Sequence, residues 1–179
     1  MQDVLHGLPA QIRDDCRVLI LGSMPGAQSL QEARYYAHPR NRFWPLLGAL
    51  CGVDPQLDYA ARLQAIQACG VGLWDVIGQC RRRGSLDAAI VRGSEVPNPL
   101  PDYIARLPRL RAIACNGAAA AQAFARFVQP QLPSRVPPLT VLALPSTSPA
   151  NAACSLPRLQ AAWAPLQAWL MPASRPPAS

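Results

Sequence analysis

The sequence predicts an α/β fold in which helices cover both faces of a parallel sheet. With 179 residues, half of them apolar, the chain is long enough for one domain with a sizeable core. Four short apolar runs have the length and composition of buried strands. Helix-like stretches separate the runs, and strands that alternate with helices favour a parallel sheet covered on both faces. The predicted strands are 17–22, 71–76, 111–116 and 139–144.

Each predicted element follows from a local pattern. The strands read RVLILG, VGLWDV, RAIACN and LTVLAL, and the helix-like stretches lie between them, with a last, amphipathic helix after the fourth strand. The predicted helices are 42–51, 59–68, 101–107, 117–128 and 157–170. The tail from Met171, MPASRPPAS, is rich in Pro, Ala and Ser and is expected to be disordered, which leaves 1–170 as a single domain.

Polar, Gly-rich and Pro-rich residues follow each predicted strand. The turn GSMPG, residues 22–26, comes after the first strand, and PSTSPAN, residues 145–151, after the fourth. The second strand ends in Trp-Asp at 74–75 and the third in Asn-Gly at 116–117. Ligands of parallel sheets bind beyond the carboxyl ends of the strands. The convergence of these four elements therefore predicts a functional site at that rim.

The stretch RYYAHPRNRFW, residues 34–44, carries more aromatic and polar chemistry than a plain loop needs. Asn41 lies either where it would cap the helix that follows or where its amide would face a ligand. His38 is more typical of a hydrogen-bonded structural histidine than of a base. Phe43 and Trp44 are adjacent and point different ways on a helix, so that one can face the core and the other the rim.

Other residues at the rim also have two interpretations. Asp75 ends a buried strand, where a carboxylate is costly unless it caps a turn or works in a site. Asn116, before a glycine, is either a helix cap or an amide that reads a ligand. The basic run RRR, residues 81–83, is either a solvated loop or a contact to a phosphate backbone. The stiff loop PSTSP, residues 145–149, offers hydroxyls and backbone N–H groups suited to phosphate, and the lack of a GxSxG pattern around Ser146 disfavours an esterase.

The charge of the chain is unusual in amount and in kind. Seventeen basic residues face ten acidic ones, which gives a net charge of +7, and all seventeen are arginine. Basic surface gains affinity for phosphate backbones through counterion release, so this balance indicates a polyanionic partner, although arginine-rich composition drift would produce the same excess. Because lysine is absent, no side chain can form a Schiff base and no Walker-type phosphate loop can be built.

Cysteine and hydropathy patterns exclude several classes of site. The cysteines, at 16, 51, 69, 80, 115 and 154, form no CxxC or Cys/His cluster, so no zinc or iron–sulfur spacing is present and no metal or cofactor is expected. No signal peptide precedes the first strand, and no apolar run approaches membrane-spanning length. We therefore expect reduced core cysteines in a cytoplasmic protein with no membrane partner.

In this order and spacing, GSMPG, YYAHPRNRFW, GLWDV, CNG and LPSTSPAN resemble the motifs of the uracil-DNA glycosylase superfamily. Within it, the chain is most similar to the hypoxanthine (DNA-deoxyinosine) glycosylases, family 6. The resemblance runs from about Val18 to Trp169, and its specific part is HPRNRFW together with LPSTSPAN. It implies a three-layer α/β/α sandwich around a four-stranded, mainly parallel sheet. It also implies excision of deaminated bases flipped out of DNA, and we expect a monomer.

The chain departs from other branches of this superfamily at specific positions. Met24 stands where many members carry Asp or Asn, and Leu144 stands where the uracil-specific branch begins its last motif with a catalytic His. The iron–sulfur cysteines of further branches are missing. In the hypoxanthine branch the functional amide is the Asn of HPxNxFW, which matches Asn41. These departures argue against a uracil-specific enzyme and fit the hypoxanthine branch.

The rim and the resemblance together give the expected site. Asn41 and Asn116 are the catalytic candidates: either amide can orient the water, and Asn116 can also read the base. Phe43 is expected to offer the ring on which the flipped base stacks. The residues expected to bind the base are Gly22, Ser23, Met24, Pro25, Gly26, Tyr36, His38, Phe43, Trp74, Asp75 and Ser146. Those expected to contact DNA are Arg40, Arg81, Arg82, Arg83, Thr147, Ser148 and Asn151.

The expected activity is hydrolytic removal of hypoxanthine from DNA without a lyase step, and the sequence leaves open whether uracil or xanthine is also removed. Two other functions fit the same residues. A non-catalytic protein that binds damaged DNA would keep the arginines and Phe43 but cleave nothing, and an α/β enzyme acting on free nucleosides would need the pocket alone. Strong salt dependence and a preference for DNA over nucleosides would argue against the nucleoside enzyme.

Overall fold

Strands and helices alternate along most of the chain, as the sequence predicts. The computed structural model describes residues 3–135 and 137–172. Within these ranges the strands are β1 (Val4–His6), β2 (Val18–Gly22), β3 (Val71–Asp75), β4 (Ile77–Arg81), β5 (Val96–Pro97), β6 (Ala112–Asn116) and β7 (Thr140–Leu144). The α-helices are α1 (Ala27–Glu32), α2 (Phe43–Cys51), α3 (Tyr59–Ala68), α4 (Leu100–Ala105), α5 (Ala118–Phe127) and α6 (Leu156–Trp163).

The central sheet has four strands in the order β3-β2-β6-β7, and all of its pairings are parallel. Its strands are the four that the sequence predicts, each within one residue of the expected bounds. All residues of β2 and β3 are buried. Because successive side chains of a strand point to opposite faces, complete burial means that both faces of the sheet are covered. The predicted three-layer α/β/α sandwich is confirmed.

The helices depart from the prediction at two places. The helix expected at 157–170 ends at Trp163, and a 3₁₀ turn, Ala164–Ala168, follows it. Pro165 lies in the first turn of that 3₁₀ segment and has no N–H to continue the α-helical ladder, which explains the change. The six-residue helix α1 was not predicted, and it begins directly after the turn 22–26.

A second, antiparallel sheet of strands β1, β4 and β5, in the order β1-β4-β5, was also missed. These strands have two to five residues and only partial burial, so they carry no continuous apolar run. A single residue separates β3 from β4. The loop that follows β4 returns to the rim of the central sheet, where Asp87 accepts a hydrogen bond from the hydroxyl of Ser23.

The remaining expectations concern the chain terminus and membranes. The tail predicted from residue 171 falls mostly on residues 173–179, which lie outside the described residues. Among the helices in the described ranges, none combines the length and the apolar character that crossing a bilayer requires.

Candidate active site

The carboxyl ends of the central strands border a cavity of about 170 Å³. The parallel register brings Gly22 beside Asp75, while the segment 35–41 and the loop 146–149 form other walls. Most of the residues predicted for the site do lie together. The predicted residues that line the cavity are Gly22, Ser23, Met24, Pro25, Gly26, Tyr36, His38, Asn41, Asp75, Asn116, Ser146, Thr147 and Ser148.

The turn 22–26 is fixed by hydrogen bonds to its carbonyl groups. Its first carbonyl accepts a hydrogen bond from the amide of Val76 at 2.9 Å, and the carbonyl of its proline accepts one from Nη2 of Arg82. A Cβ atom at position 22 would collide with Oδ1 of Asp75. Glycine is therefore required there, and it lets the backbone and the carboxyl share the floor of the cavity.

Arg82 is a structural residue, and its predicted contact to DNA is wrong. The residue is 4% exposed. Besides its bond to the carbonyl of Pro25, its Nε donates to the carbonyl of Gly84 at 3.0 Å. The guanidinium thus fixes the loop after β4 against the turn 22–26. Its neighbours Arg81 and Arg83 are exposed.

Tyr36, and not Phe43, presents an aromatic ring to the cavity. Phe43 is fully buried and does not line the cavity, so it has no face open to a base. The ring of Tyr36 stacks on it, with centroids 3.8 Å apart and planes 18° from parallel. Tyr36 has a φ of 55°, a left-handed conformation that is uncommon for a residue with a side chain. The expectation for Phe43 is corrected: Phe43 supports the ring that faces the cavity.

Asn41 lies one residue before Arg42, the N-cap of α2, and its side chain bonds the first amide of the helix in place of the predicted N-cap role. Its Oδ1 accepts a hydrogen bond from the backbone amide of Phe43 at 3.0 Å, at the start of α2. This bond fixes which end of the amide is the oxygen. In the described part of the chain Nδ2 makes no hydrogen bond, and the residue lines the cavity. Capping and a role toward a ligand are therefore compatible in this residue.

Arg42 joins two walls of the cavity, and the sequence analysis missed it. Its guanidinium donates to the backbone carbonyls of Ser148 and Asn151, both at 2.9 Å, and to that of Cys154. Its own amide donates to the carbonyl of Thr147 at 3.1 Å. The loop after β7 is thereby tied to the segment that carries Asn41 by a single residue.

Asn116 is held by Thr147 through both ends of its amide. Nδ2 donates to the Thr147 hydroxyl and Oδ1 accepts from the Thr147 amide, each at 3.0 Å. Thr147 is fully buried, so its predicted contact to DNA is wrong and its role is to orient this amide. In the same loop, Asn151 donates to the carbonyl of Ser146, and the Ser148 amide donates to the Ser146 hydroxyl. These bonds keep the loop stiff.

Asp75 and Asp87 place two carboxyl groups at the cavity. Asp75 is 4% exposed. Its pKa is shifted by burial, by the Asp87 carboxylate and by Arg82. Burial is the largest cause, Asp87 adds to it and Arg82 opposes it, and the result raises the pKa of Asp75 to about 7. Asp87 accepts a hydrogen bond from the Ser23 hydroxyl at 2.5 Å.

Trp74, His38 and Arg40 complete the predicted set. Trp74 points away from Asp75 into the core, where its Nε1 donates to the carbonyl of Leu8, so its predicted contact to the base is wrong. Nδ1 of His38 accepts from the Arg40 amide at 3.1 Å, the structural role that the sequence analysis favoured. Arg40 itself is exposed.

The sequence analysis did not identify several residues that line the cavity. Most of them belong to structural elements that it also did not predict. Gln28 and Ser29 belong to helix α1, and Ser85 and Asp87 to the loop after β4. The GSLD sequence behind the arginine run was the only sign of that loop. A groove on the far side of the segment 35–41 was missed as well.

This groove combines arginines with aromatic rings. The guanidinium of Arg62 lies 4.7 Å from the ring centroid of Trp44, and that of Arg34 lies 5.7 Å from the ring of Tyr59. Asn41 borders both the groove and the cavity. The groove is therefore a surface of arginines and aromatic rings that adjoins the cavity.

Metal ligands are not grouped in the part of the chain that the structure describes: no three His, Cys, Asp or Glu residues there are arranged to hold an ion. The cysteines are unpaired, and all but Cys154 are buried, in agreement with the expectation of core thiols. The cavity lining supplies amides, hydroxyls, carboxyls, the imidazole of His38 and the phenol rings of Tyr35 and Tyr36.

Comparison with known proteins identifies relatives of this chain. The model of the Uracil DNA glycosylase superfamily matches residues 9–168. Two curated relatives are named Hypoxanthine DNA glycosylase. One, from Methanosarcina barkeri, is 38% identical over 113 residues, 63% of this chain and 70% of its own length. The other, from Methanosarcina acetivorans, is 36% identical over 115 residues, 64% of this chain and 72% of its own length.

A solved structure is similar over nearly the whole chain. It is a solution NMR structure from Methanosarcina acetivorans, provisionally described as a uracil DNA glycosylase. The TM-score is 0.74 at 28% identity, and the match covers 92% of this chain and 99% of the other.

Proposed function

This chain belongs to the uracil DNA glycosylase superfamily, and from that premise we propose that it is a DNA glycosylase that removes hypoxanthine from deoxyinosine by hydrolysis. The observation that carries the proposal is one cavity holding a supported aromatic ring, Tyr36, and two amides with fixed orientation, Asn41 and Asn116. Relatives that carry the name Hypoxanthine DNA glycosylase support the choice of base.

A base inside a duplex cannot be reached, so the nucleotide must be rotated into the cavity before the bond is cleaved. The Tyr36 ring would then stack on the base, with Phe43 behind it. Stacking of a base on an aromatic side chain contributes about 1–3 kcal/mol. Because the ring is already packed on a buried neighbour, little conformational entropy is lost when the base arrives.

The two amides have different tasks in this proposal. Asn116 is locked by Thr147, and such an amide can read the polar edge of a base with little reorganisation. Asn41 uses its Oδ1 to cap α2, so its Nδ2 is the end that faces the reaction. An N–H donor there can hold the attacking water by its oxygen or stabilise the departing base, but it cannot take a proton. Cleavage passes through an oxocarbenium-like state, and the barrier must fall mainly through stabilisation of the leaving group.

Exposed arginines would hold the DNA backbone around the cavity. Arg40, Arg81 and Arg83 are exposed near the rim, and Arg34 and Arg62 line the adjoining groove. Arginine stacked on an aromatic ring suits an unpaired strand, whose phosphates and bases are both accessible. Without lysine in the sequence, no side chain can form the Schiff base of a lyase step, so the proposed enzyme is monofunctional.

Single-turnover excision from labelled oligonucleotides tests the proposal. Oligonucleotides that each contain one deoxyinosine, deoxyuridine or deoxyxanthosine are incubated with excess protein, and alkali then reveals abasic sites. We expect strand cleavage only after alkali, fastest for deoxyinosine, with EDTA present throughout. Binding without release of any base would favour the non-catalytic DNA-binding protein, and release from free deoxyinosine as fast as from DNA would favour the nucleoside enzyme.

A further inference from the structure

In the described part of the chain, the carboxyl group of Asp75 and the hydroxyl of Tyr36 are the buried side-chain groups of the cavity that have an atom without a hydrogen-bond partner. Asp75 is 4% exposed and lies over Gly22 at the floor. In the described part of the chain neither of its oxygens accepts a hydrogen bond, and Oδ2 is buried without any partner. A carboxylate buried without donors is strongly disfavoured, whereas a carboxylic acid in the same place keeps an O–H to give to a ligand.

The groups around Asp75 do not supply the missing donors. Arg82, one residue after β4, directs Nε and Nη2 to main-chain carbonyls, and its Nη1 is buried without a partner and makes no salt bridge to Asp75 within 4.0 Å. Asp87, in the following loop, is a second negative charge. Tyr35 donates its hydroxyl to the carbonyl of Pro9 at 2.9 Å. Burial raises the pKa of Tyr36 so that it stays neutral, and its hydroxyl makes no hydrogen bond to Asp75 or to another described residue. These are the titratable and charged groups that face Asp75, and on balance they favour its protonated form.

We propose that Asp75 is the general acid of the reaction, which donates its proton to N7 of the departing purine. This inference rests on the proposed function and names a group that acts on the leaving base. In a carboxylic acid at the floor of a cavity that also holds Tyr36 and Asn116, the proton lies where the base would bind. A pKa of about 7 is the value at which an acid is both protonated and able to transfer at neutral pH.

The proposed step balances as follows. The C1′–N9 bond breaks and its electron pair stays on the base, while the O–H bond of Asp75 breaks and an N7–H bond forms. The oxygen of water bonds to C1′, and the water loses one proton to solvent. Hypoxanthine leaves as its neutral N7–H tautomer, and the Asp75 carboxylate regains a proton from solvent. The products are an abasic sugar and the free base.

The proposal predicts a difference between purines and pyrimidines. N7 of hypoxanthine carries a lone pair that can accept a proton. In uracil, N1 is bonded to the sugar and N3 already carries hydrogen, so no ring nitrogen is available and the acid can offer only a hydrogen bond to a carbonyl. Loss of the acid should therefore slow release of hypoxanthine far more than release of uracil.

The test compares Asp75→Asn with wild-type protein across pH on deoxyinosine and deoxyuridine oligonucleotides, in single turnover. The wild-type rate on deoxyinosine should be level below about pH 7 and fall about tenfold per pH unit above it. At low pH, Asp75→Asn should release hypoxanthine at least about 100-fold more slowly than wild type, and its rate should lack the fall above about pH 7, here called the alkaline limb. On deoxyuridine the variant should be less than about tenfold slower than wild type. Asp102→Asn, an exposed carboxyl in the first turn of α4, is the matched control and should match wild type.

A second arm needs no variant at this position. An oligonucleotide with 7-deaza-2′-deoxyinosine has carbon in place of N7, and its release by wild-type protein should be slow and without the alkaline limb near pH 7. Asp87→Asn removes the negative neighbour, so the alkaline limb on deoxyinosine should move to lower pH. An unchanged alkaline limb with the deaza base, or an Asp75→Asn protein that keeps wild-type rate and pH profile, overturns the inference. No release of any base by wild type would instead overturn the proposed function.

Discussion

Replacement of Asp75 by Asn should stabilise the folded protein at neutral and higher pH, even though it removes a group proposed to act in the reaction. In the unfolded chain this carboxyl loses its proton near its ordinary pKa of 3.8, and in the folded protein only near 7. Between these values the folded state binds more protons, so the contribution of the group to stability falls as pH rises and is lost above about pH 7. An amide at the same place carries no charge at any pH and avoids this loss.

The magnitude follows from the two pKa values. The interval between 3.8 and about 7, at about 1.4 kcal/mol per pH unit, corresponds to about 4 kcal/mol as an upper bound. The difference in free energy of unfolding between Asp75→Asn and wild type should therefore be small near pH 4 and grow to about 2–4 kcal/mol by pH 8.

Urea unfolding at several pH values between about pH 4 and 8 measures this difference, with constant m-values as the check for two-state behaviour. The control Asp102→Asn, whose carboxyl is exposed, should show a difference that barely changes with pH. A difference for Asp75→Asn that is constant across the range, or that shows the variant less stable at pH 8, would refute the reasoning about a protonated buried carboxyl.

Three further predictions concern catalysis and DNA binding. In single turnover, Tyr36→Leu should lower the rate of base release about 5- to 150-fold because stacking is lost, while Tyr36→Phe should keep most of the rate. If both variants lose the same amount of activity, the hydroxyl of Tyr36 and not its ring is responsible. Asn41→Ala should slow release about 100-fold or more with DNA affinity nearly unchanged, and near-normal release by Asn41→Ser, which caps α2 equally well, would reduce this residue to a cap. Arg34→Ala combined with Arg62→Ala should reduce the slope of log K against log salt by about 1–2, and an unchanged slope in a fluorescence-anisotropy titration would remove the groove from the DNA path.

The central sheet and its rim could be predicted because their signals are local. Each strand is an apolar run of about five residues, and three of the four end in the glycine, aspartate or asparagine at 22, 75 and 116. A parallel sheet brings these carboxyl ends together whatever the details of packing. Gly22, Asp75 and Asn116 were therefore found without knowledge of any contact.

The errors arose where a contact between distant segments decides the role of a side chain. Phe43 and Tyr36 are both aromatic residues in one motif, and only the stacking of one on the other shows which faces the cavity. In sequence, Arg82 looks like its exposed neighbours. In the structure the extended backbone continues past β4, and because side chains alternate in direction along it, Arg82 points inward to the carbonyl of Pro25. Thr147 was taken for a phosphate contact because its partner, Asn116, is 31 residues away in the chain.

The hydrogen bonds of Arg42 have a consequence for how the specificity of this enzyme can change. Because one residue fastens the Asn41 segment to the loop that orients Asn116, a substitution in either wall displaces both amides together. On this side of the cavity, single substitutions should therefore not change the preferred base in small steps, since each would move both amides. The loop with Ser85 and Asp87 is held by other hydrogen bonds, to the turn 22–26 and the start of α1, and none of them involves Arg42, so directed evolution toward another base should begin there.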